Sequence, residues 1–198
     1  MYNDIKLLAL LMAALMLSVA AELPKGKAVG NPAAPMQIEI YSDFQCPSCR
    51  QFHMDVLPSL MRDYVATGKV YLIHRDVPRP MHQYSREAAA YAAAAARLSH
   101  YDQVADALFR DQASWSANGK VPDTIAAAVP QVDTKQLQAL SEDPSVIAEV
   151  QSDYQAGQAA GVNQTPTMIV NYKGKKYTIV RMLNYSLLRR FLDDTFAK

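Results

Sequence analysis

Two cysteines three positions apart, Cys46 and Cys49, are the residues of this chain best suited to chemistry, and the 198-residue sequence contains no others. A pair at this spacing can form a permanent disulfide, provide part of a metal site, or cycle between dithiol and disulfide. A disulfide stabilises a fold mainly by restricting the unfolded chain: a loop of about four residues contributes about 2 kcal/mol, against nearly 5 kcal/mol for about 100 residues. Because a permanent disulfide at this position would stabilise so little, redox cycling is the favoured interpretation.

A metal site is the second possibility, since Cys46, Cys49 and His53 form a C-x2-C-x3-H spacing. A structural zinc site needs a fourth ligand and usually more cysteine, and the remaining histidines are scattered along the chain: His74, His82 and His100. We therefore expect no metal site and interpret His53 as a residue on a helix surface. The sequence also has no phosphate loop, dinucleotide fingerprint or hydrolase triad, so no other cofactor is expected.

The residues around the cysteines predict the elements that hold them. Residues 36–41 alternate apolar and other side chains as a strand does, and apolar residues then recur with helical spacing over residues 47–64. Pro58 within that helix predicts a kink in one continuous helix. Cys46 lies at the helix N-terminus, where free backbone N–H groups and the helix dipole favour a thiolate. A stabilised thiolate makes the disulfide a stronger oxidant, and Cys49, one turn later, is the less exposed resolving thiol.

The first residues of the chain predict export. Residues 7–17 form an uninterrupted apolar run that follows Lys6 and precedes small residues up to Ala20 and Ala21, which is the pattern of a secretory signal. A spanning helix needs about 20 apolar residues, so we expect cleavage near Ala20 or Ala21 and a periplasmic or otherwise exported location. An uncleaved membrane anchor is the alternative. The net charge of +1, with no basic tract, argues against a nucleic-acid partner.

The rest of the sequence predicts a mixed α/β fold. Strand patterns recur at residues 69–74, 167–171 and 177–180, and about 80 helical residues separate the first of these from the second. A final amphipathic helix is predicted over residues 185–196. This order of elements predicts a small mixed sheet with a helical insertion.

The sequence resembles the DsbA-like thiol–disulfide oxidoreductases, a branch of the thioredoxin-fold proteins. The resemblance rests on Phe44-Gln45-Cys46-Pro47-Ser48-Cys49 and on Thr165-Pro166-Thr167 about 120 positions later. It implies an α/β, thioredoxin-like fold with an inserted helical domain. The domains would be a signal peptide at residues 1–21, a discontinuous thioredoxin-like domain at 30–80 and 160–198, and a helical domain at 81–159.

The resemblance also implies a role for each site residue. Cys46 would be the nucleophile that forms a mixed disulfide with the substrate, and Cys49 would resolve that disulfide. Pro166 would be a cis-proline facing the cysteines, with Thr165 supplying backbone contacts to the substrate. Glu39 resembles the buried acid that thioredoxin-fold enzymes keep beneath the cysteines as a proton acceptor for the resolving thiol.

Two positions depart from the family pattern. The dipeptide between the cysteines is Pro47-Ser48, whereas the strong oxidants of the family carry Pro-His. Ser48 offers a hydrogen bond but no positive charge, so we expect weaker stabilisation of the thiolate. Gln164 stands where the family usually has glycine, which predicts altered access around the loop that contains Pro166.

The implied activity is that of an exported enzyme that donates its disulfide to reduced or unfolded exported proteins. Such an enzyme must be reoxidised, which the resemblance assigns to a membrane protein that passes electrons to quinone. Isomerases of this lineage typically add an N-terminal dimerisation region, and only about ten residues separate the predicted signal from the first strand, which favours a monomeric oxidase. An isomerase or reductase of the same fold and a peptide-binding, chaperone-like module remain open alternatives.

Overall fold

The computed structural model describes residues 26–197, and the predicted signal peptide lies outside them. Within the described residues, one mixed sheet has the strand order β1-β3-β2-β4-β5. Its strands are β1 (Ala28–Val29), β2 (Met36–Ser42), β3 (Val70–Asp76), β4 (Thr167–Tyr172) and β5 (Lys175–Val180). The β2–β3 pair is parallel, whereas β1–β3, β2–β4 and β4–β5 are antiparallel. Four strands match the prediction from the sequence, and β1 is additional.

The helix that follows the cysteine loop, α1, covers residues 47–65. It consists of two α-helical segments, Pro47–Gln51 and Leu57–Leu60, and two π-helical turns, Phe52–Val56 and Met61–Val65. The predicted continuity across Pro58 is confirmed. The N–H of Leu57 donates to the carbonyl of Phe52, five residues earlier, so a wider turn accommodates the proline that cannot continue the regular hydrogen-bond ladder.

Six helices follow β3 and precede β4. They are α2 (Ser85–Arg97), α3 (Tyr101–Arg110), α4 (Gln112–Asn118), α5 (Val121–Ala128), α6 (Thr134–Ser141) and α7 (Pro144–Ala159). The last helix, α8 (Tyr185–Phe196), follows β5 and matches the predicted bounds. None of the helices in residues 26–197 combines the length and the apolar character needed to cross a membrane.

The two faces of β2 belong to different hydrophobic layers. Ile38 and Ile40 pack with the apolar face of α1 and with α8. Tyr41, on the other face, packs with Val77 against α7. Gly157 allows α7 to lie close to the sheet, because a Cβ atom there would stand 3.2 Å from Val77 and 3.4 Å from Tyr41. Both faces of the sheet are therefore covered by other elements, as is typical of a strand that is buried on both faces.

A buried ion cluster joins the segment before β1 to β3 and α7. The Nζ of Lys27, which has no exposed surface, lies 2.7 Å from Asp76 Oδ2 and 2.5 Å from Asp153 Oδ2. Arg75 bridges Asp153 and Glu39, with N–O distances of 3.0 Å to each carboxylate. Burial opposes the charged form of Lys27, but the charges of Asp76 and Asp153 hold the pKa of its ammonium above the ordinary value. The cluster therefore holds together four segments of the chain: the residues before β1, strand β2, strand β3 and helix α7.

Replacing Asp153 by Asn is expected to lower the free energy of unfolding by about 3–5 kcal/mol, because it leaves Lys27 and Arg75 buried with one carboxylate fewer. Urea denaturation measures the change. Asp194→Asn is the matched control, since Asp194 is 67% exposed and, among residues 26–197, pairs with Arg190 alone on the surface of α8. That change should cost no more than about 0.5 kcal/mol. Equal losses in the two variants would show that the cluster does not stabilise the fold.

Candidate active site

The two cysteines occupy different environments at the start of α1. Cys46 is the N-cap residue, with extended backbone angles (φ −80°, ψ 121°), and Pro47 follows in the first turn. The backbone N–H groups of Cys49 and Arg50 donate to the Cys46 carbonyl. Cys46 is half-buried and Cys49 is fully buried, and both are free thiols. The predicted placement of Cys46 at a helix N-terminus and of Cys49 one turn inside is therefore observed.

These environments separate the pKa values of the two thiols. A hydrogen bond from Cys49, opposed by partial burial, lowers the pKa of Cys46 to about 5, and smaller contributions in the same direction come from Thr165 and from the backbone N–H groups of Cys49 and Ser48. Burial, followed by the hydrogen bond with Cys46 and the charge of its thiolate, raises the pKa of Cys49 well above its ordinary value. These directions favour a half-buried thiolate at Cys46 and a buried, neutral thiol at Cys49 at neutral pH.

The segment of Thr165 and Pro166 lies against the cysteines. The peptide bond between these two residues is cis, as the resemblance implies. Cys46 Sγ lies 3.5 Å from the carbonyl oxygen of Thr165, and both Thr165 and Pro166 are buried. The structure thus brings together Cys46, Cys49, Thr165 and Pro166, although 119 positions separate Cys46 from Thr165.

The dipeptide between the cysteines contacts an arginine that the sequence did not reveal. Arg181 follows β5, and its Nη2 donates to the hydroxyl of Ser48 at 3.1 Å. Its backbone N–H donates to the carbonyl of Pro166 at 2.9 Å. Ser48 itself carries no charge. Its contact with Arg181 nevertheless places a positively charged guanidinium beside it. The strand pattern that ends at Val180 gives no signal for this contact.

The loop from Ser42 to Gln45 supplies further contacts that were not predicted. A hydrogen bond from the Ser42 side chain and one from the backbone N–H of Asp43, at 3.4 Å, reach Cys49. The Asp43 carboxylate accepts from the N–H groups of Gln45 and Arg79, at 2.7 Å each, and lies 2.9 Å from His82 Nδ1. From α4, the Gln112 side chain donates to the carbonyls of Phe44 and Cys46. These contacts fix the loop that leads into α1.

Glu39 is the one proposed site residue that the structure does not bring to the cysteines. It lies in β2 between Ile38 and Ile40, whose side chains face α1. Because side chains alternate along a strand, Glu39 points to the opposite face. There its carboxylate accepts from Arg75 Nε at 3.0 Å and from the Tyr41 hydroxyl at 3.1 Å. Its observed contacts are those of the buried ion cluster.

The prediction that His53 lies on a helix surface is wrong. Its side chain is only 11% exposed and its Nε2 lies 2.5 Å from Asp106 Oδ1 of α3. The ring also packs on Phe109, with centroids 4.5 Å apart. His53 therefore joins α1 to α3. No group of three or more His, Cys, Asp or Glu side chains within residues 26–197 is arranged to hold a metal ion.

Comparisons with known proteins agree with this geometry. A family model described as thioredoxin matches residues 22–194. The probable disulfide bond formation protein D of Bacillus anthracis is 25% identical over 150 residues, which cover 73% of this chain and 69% of that protein. A thioredoxin-like oxidoreductase from Silicibacter pomeroyi superposes with a TM-score of 0.72 at 26% identity, covering 88% of this chain and 94% of the other. The α-DsbA1 of Wolbachia pipientis shares the fold, with a TM-score of 0.76 at 21% identity and coverages of 88% and 92%.

Titration of the reduced protein is expected to show one thiolate forming with a pKa of about 5. The ultraviolet absorbance of the thiolate follows this step, and Cys46→Ser should abolish it. This pKa is lower in the folded than in the unfolded chain, so the thiolate stabilises the reduced fold. The stabilisation is fully present at pH values above the unfolded pKa of about 8.5. That stabilisation is lost as the pH falls through about 5. A step near the unperturbed value would contradict the described environment of Cys46.

Glu39→Gln tests which role this carboxylate has. From its contacts we expect the free energy of unfolding to fall by about 1–3 kcal/mol, because Arg75 loses a charged partner, and we expect the rate of disulfide exchange to stay unchanged. Urea denaturation and stopped-flow exchange measure the two quantities. Tyr41→Phe removes only the other hydrogen bond to the carboxylate and should cost less. Slower exchange with unchanged stability would instead support the proton-acceptor role predicted from the sequence.

Proposed function

The chain belongs to the thioredoxin family, and from this premise we propose that it is a DsbA-like thiol–disulfide oxidoreductase that oxidises thiol pairs in exported proteins. The observation that carries the proposal is the placement of the two thiols: Cys46 is half-buried at the N-cap of α1 and lies 3.5 Å from the Thr165 carbonyl oxygen, whereas Cys49 is buried one turn later. This placement lowers the pKa of Cys46 to about 5 and raises that of Cys49. A stable Cys46 thiolate favours the reduced enzyme over its disulfide. The disulfide is therefore a strong oxidant.

The proposed reaction moves one electron pair from client to enzyme. A client thiolate attacks Cys46 Sγ of the Cys46–Cys49 disulfide, and Cys49 leaves as a thiolate that takes up a proton. The second client thiolate then attacks the client sulfur of the mixed disulfide, and Cys46 leaves as its stabilised thiolate. The client loses two electrons and gains a disulfide, whereas the enzyme becomes the dithiol. A low pKa makes Cys46 the better leaving group in the second step.

Four neighbouring residues are proposed to serve this reaction. Thr165 and Pro166 would bind the client backbone beside Cys46, which is supported by the 3.5 Å distance between Cys46 Sγ and the Thr165 carbonyl oxygen. Pro47 and Ser48 form the active-site dipeptide. Pro47 begins α1 without an N–H group, which costs nothing in the first turn, and the N–H of Ser48 helps to lower the pKa of Cys46.

The cycle closes when the dithiol is reoxidised. We infer that a membrane protein takes the two electrons and passes them to quinone, and that the enzyme acts as a monomer in the periplasm or an equivalent exported compartment. The apolar run at residues 7–17, with cleavage near Ala20 or Ala21, supports export. A disulfide-donating activity suits such a compartment, where disulfides persist.

The direction of electron flow is tested by equilibrating the Cys46–Cys49 couple with glutathione. An oxidase is expected to have a potential less negative than about −200 mV, whereas a value near −270 mV, that of thioredoxin, would indicate a reductase and would overturn the proposal. In parallel, the oxidised protein should restore activity to a reduced client that needs one disulfide.

Cys46→Ser and Cys49→Ser are matched controls for the refolding assay. Both variants should abolish oxidation, because neither can form the Cys46–Cys49 disulfide. With a client that already contains a disulfide, Cys49→Ser should accumulate a mixed disulfide: the Cys46 thiolate attacks one client sulfur, the other client sulfur leaves as a thiolate, and no second enzyme thiol is present to release Cys46. Unchanged client recovery with Cys46→Ser would point to a chaperone-like role in place of an oxidase. Preferential repair of wrongly paired clients, without net oxidation, would indicate an isomerase.

A further inference from the structure

Several arginines in and beside the candidate site have no acidic partner among the described residues. The chain has ten arginines, and six of them form ion pairs with carboxylates: Arg62, Arg75, Arg97, Arg110, Arg189 and Arg190. Of the four that have no carboxylate within 4.0 Å among residues 26–197, three make hydrogen bonds to the candidate site or to the loop segments that adjoin it. These three, Arg50, Arg79 and Arg181, are called the arginine rim below.

Arg50 and Arg181 approach Cys46 from two different elements. Arg50 lies one turn after Cys46 in α1, is exposed, and donates its backbone N–H to the Cys46 carbonyl. Residues four apart on a helix share one side, so this side chain lies on the side of Cys46. Arg181 is also exposed and reaches Ser48 with its guanidinium, 3.1 Å from the hydroxyl. Two arginines with exposed side chains therefore contact the segment that contains Cys46 and Ser48.

The third guanidinium comes from the loop after β3. Arg79 Nη2 donates to the carbonyl of Asn163 at 2.9 Å, two residues before Thr165. The acidic side chain that touches this loop is Asp43, which is 1% exposed and already accepts hydrogen bonds from the backbone N–H groups of Gln45 and Arg79. It offers no carboxylate oxygen to the Arg79 guanidinium, so this positive charge has no acidic partner among residues 26–197 and lies beside the segment that leads to Thr165.

The backbone of Arg181 is held in an unusual conformation. Its φ is +52°, in the left-handed region that residues with a side chain occupy at a cost in free energy. The hydrogen bond from its N–H to the Pro166 carbonyl keeps the residue there. Such strain persists where the surrounding structure maintains it, and it is concentrated at functional sites. The fold therefore fixes the backbone of Arg181 beside Pro166, from which its side chain reaches Ser48.

We propose that the arginine rim selects client segments that carry acidic side chains next to the reactive cysteine. The inference rests on the proposed function, because the oxidised enzyme must meet a reduced client. In the disulfide form Cys46 has no charge, so the rim presents its full positive charge to the client. Once the client has been oxidised and the enzyme reduced, the Cys46 thiolate adds a negative charge inside the arginine rim. Acidic segments are therefore attracted before the reaction and held less strongly after it.

The test uses three dithiol peptides that differ only in the residues beside their cysteines: Asp and Glu, Asn and Gln, or Lys and Arg. The oxidised protein is mixed with each, and the rate of disulfide formation is measured. A triple variant replaces Arg50, Arg79 and Arg181 by Gln. In this variant, the rate with the acidic peptide divided by the rate with the basic peptide should fall by about fivefold or more at low ionic strength. Because each peptide is its own reference across proteins, its intrinsic thiol reactivity cancels from this comparison.

The matched control removes the same charge from a distant surface. Arg62, Arg189 and Arg190 are 62–83% exposed at their side chains, and Arg62 lies about 24 Å along α1 from Cys46 at 1.5 Å per residue. Replacing these three by Gln should leave the ratio unchanged. An equal fall in the control variant, or no fall in the rim variant, would overturn the proposal.

Two further measurements keep the outcome decisive if the rim variant folds poorly. The rim replaced by lysines should retain the preference for acidic peptides, and raising the ionic strength should reduce that preference in the unmodified protein. Loss of the preference with lysine, or a preference insensitive to salt, would count against charge selection. Oxidation of the neutral peptide by the unmodified protein tests the proposed function separately. If the neutral peptide is not oxidised, the proposed oxidase activity is refuted, independently of any charge preference of the arginine rim.

Discussion

The antiparallel pairing of β2 with β4 is the constraint on which the candidate site depends. In this register Tyr41 stands opposite Thr167, so the end of β2 lies beside the start of β4. The chain that leaves β2 carries the cysteines, and the chain that enters β4 carries Thr165 and Pro166. If β2 and β4 were parallel, the end of β2 and the start of β4 would lie at opposite ends of the strand pair. The direction and register of one strand pair thus create the site.

Once the two segments meet, one helix N-terminus provides opposite environments for two atoms of the same kind. Cys46 receives hydrogen bonds from the first turn of α1 and from Cys49, and these favour its anion. Cys49, three residues later, is enclosed by the protein, and burial favours its neutral form. A separation of this size needs no metal ion and no charged neighbour in direct contact with sulfur. It follows from the position of each thiol relative to the helix and the core.

Much of the fold could be predicted from the sequence, because long periodic segments such as α8 are strong signals. The strand β1, at two residues, and α4, at seven, are too short to show a period. The contacts of Arg181 and Gln112 with the cysteine loop come from elements far away in sequence, so no local pattern reveals them. Glu39 illustrates a different limit. Alternation correctly places Glu39 on one face of β2 and Ile38 and Ile40 on the other, but only the structure shows which of the two faces α1 covers.

The separation of 119 positions between Cys46 and Thr165 also has a consequence for the order of assembly. Closing so long a loop costs conformational entropy, and contacts of this kind form late in folding. The helices α2 to α7 share a single hydrophobic cluster, so their collapse brings the ends of the loop near each other and lowers that cost. The strand that completes the site is nevertheless close to the C-terminal end of the described residues. A chain therefore acquires its finished thiol pair only after helices α2 to α7 and β4 have been made and packed, which ties the onset of redox chemistry to the assembly of both segments of the site.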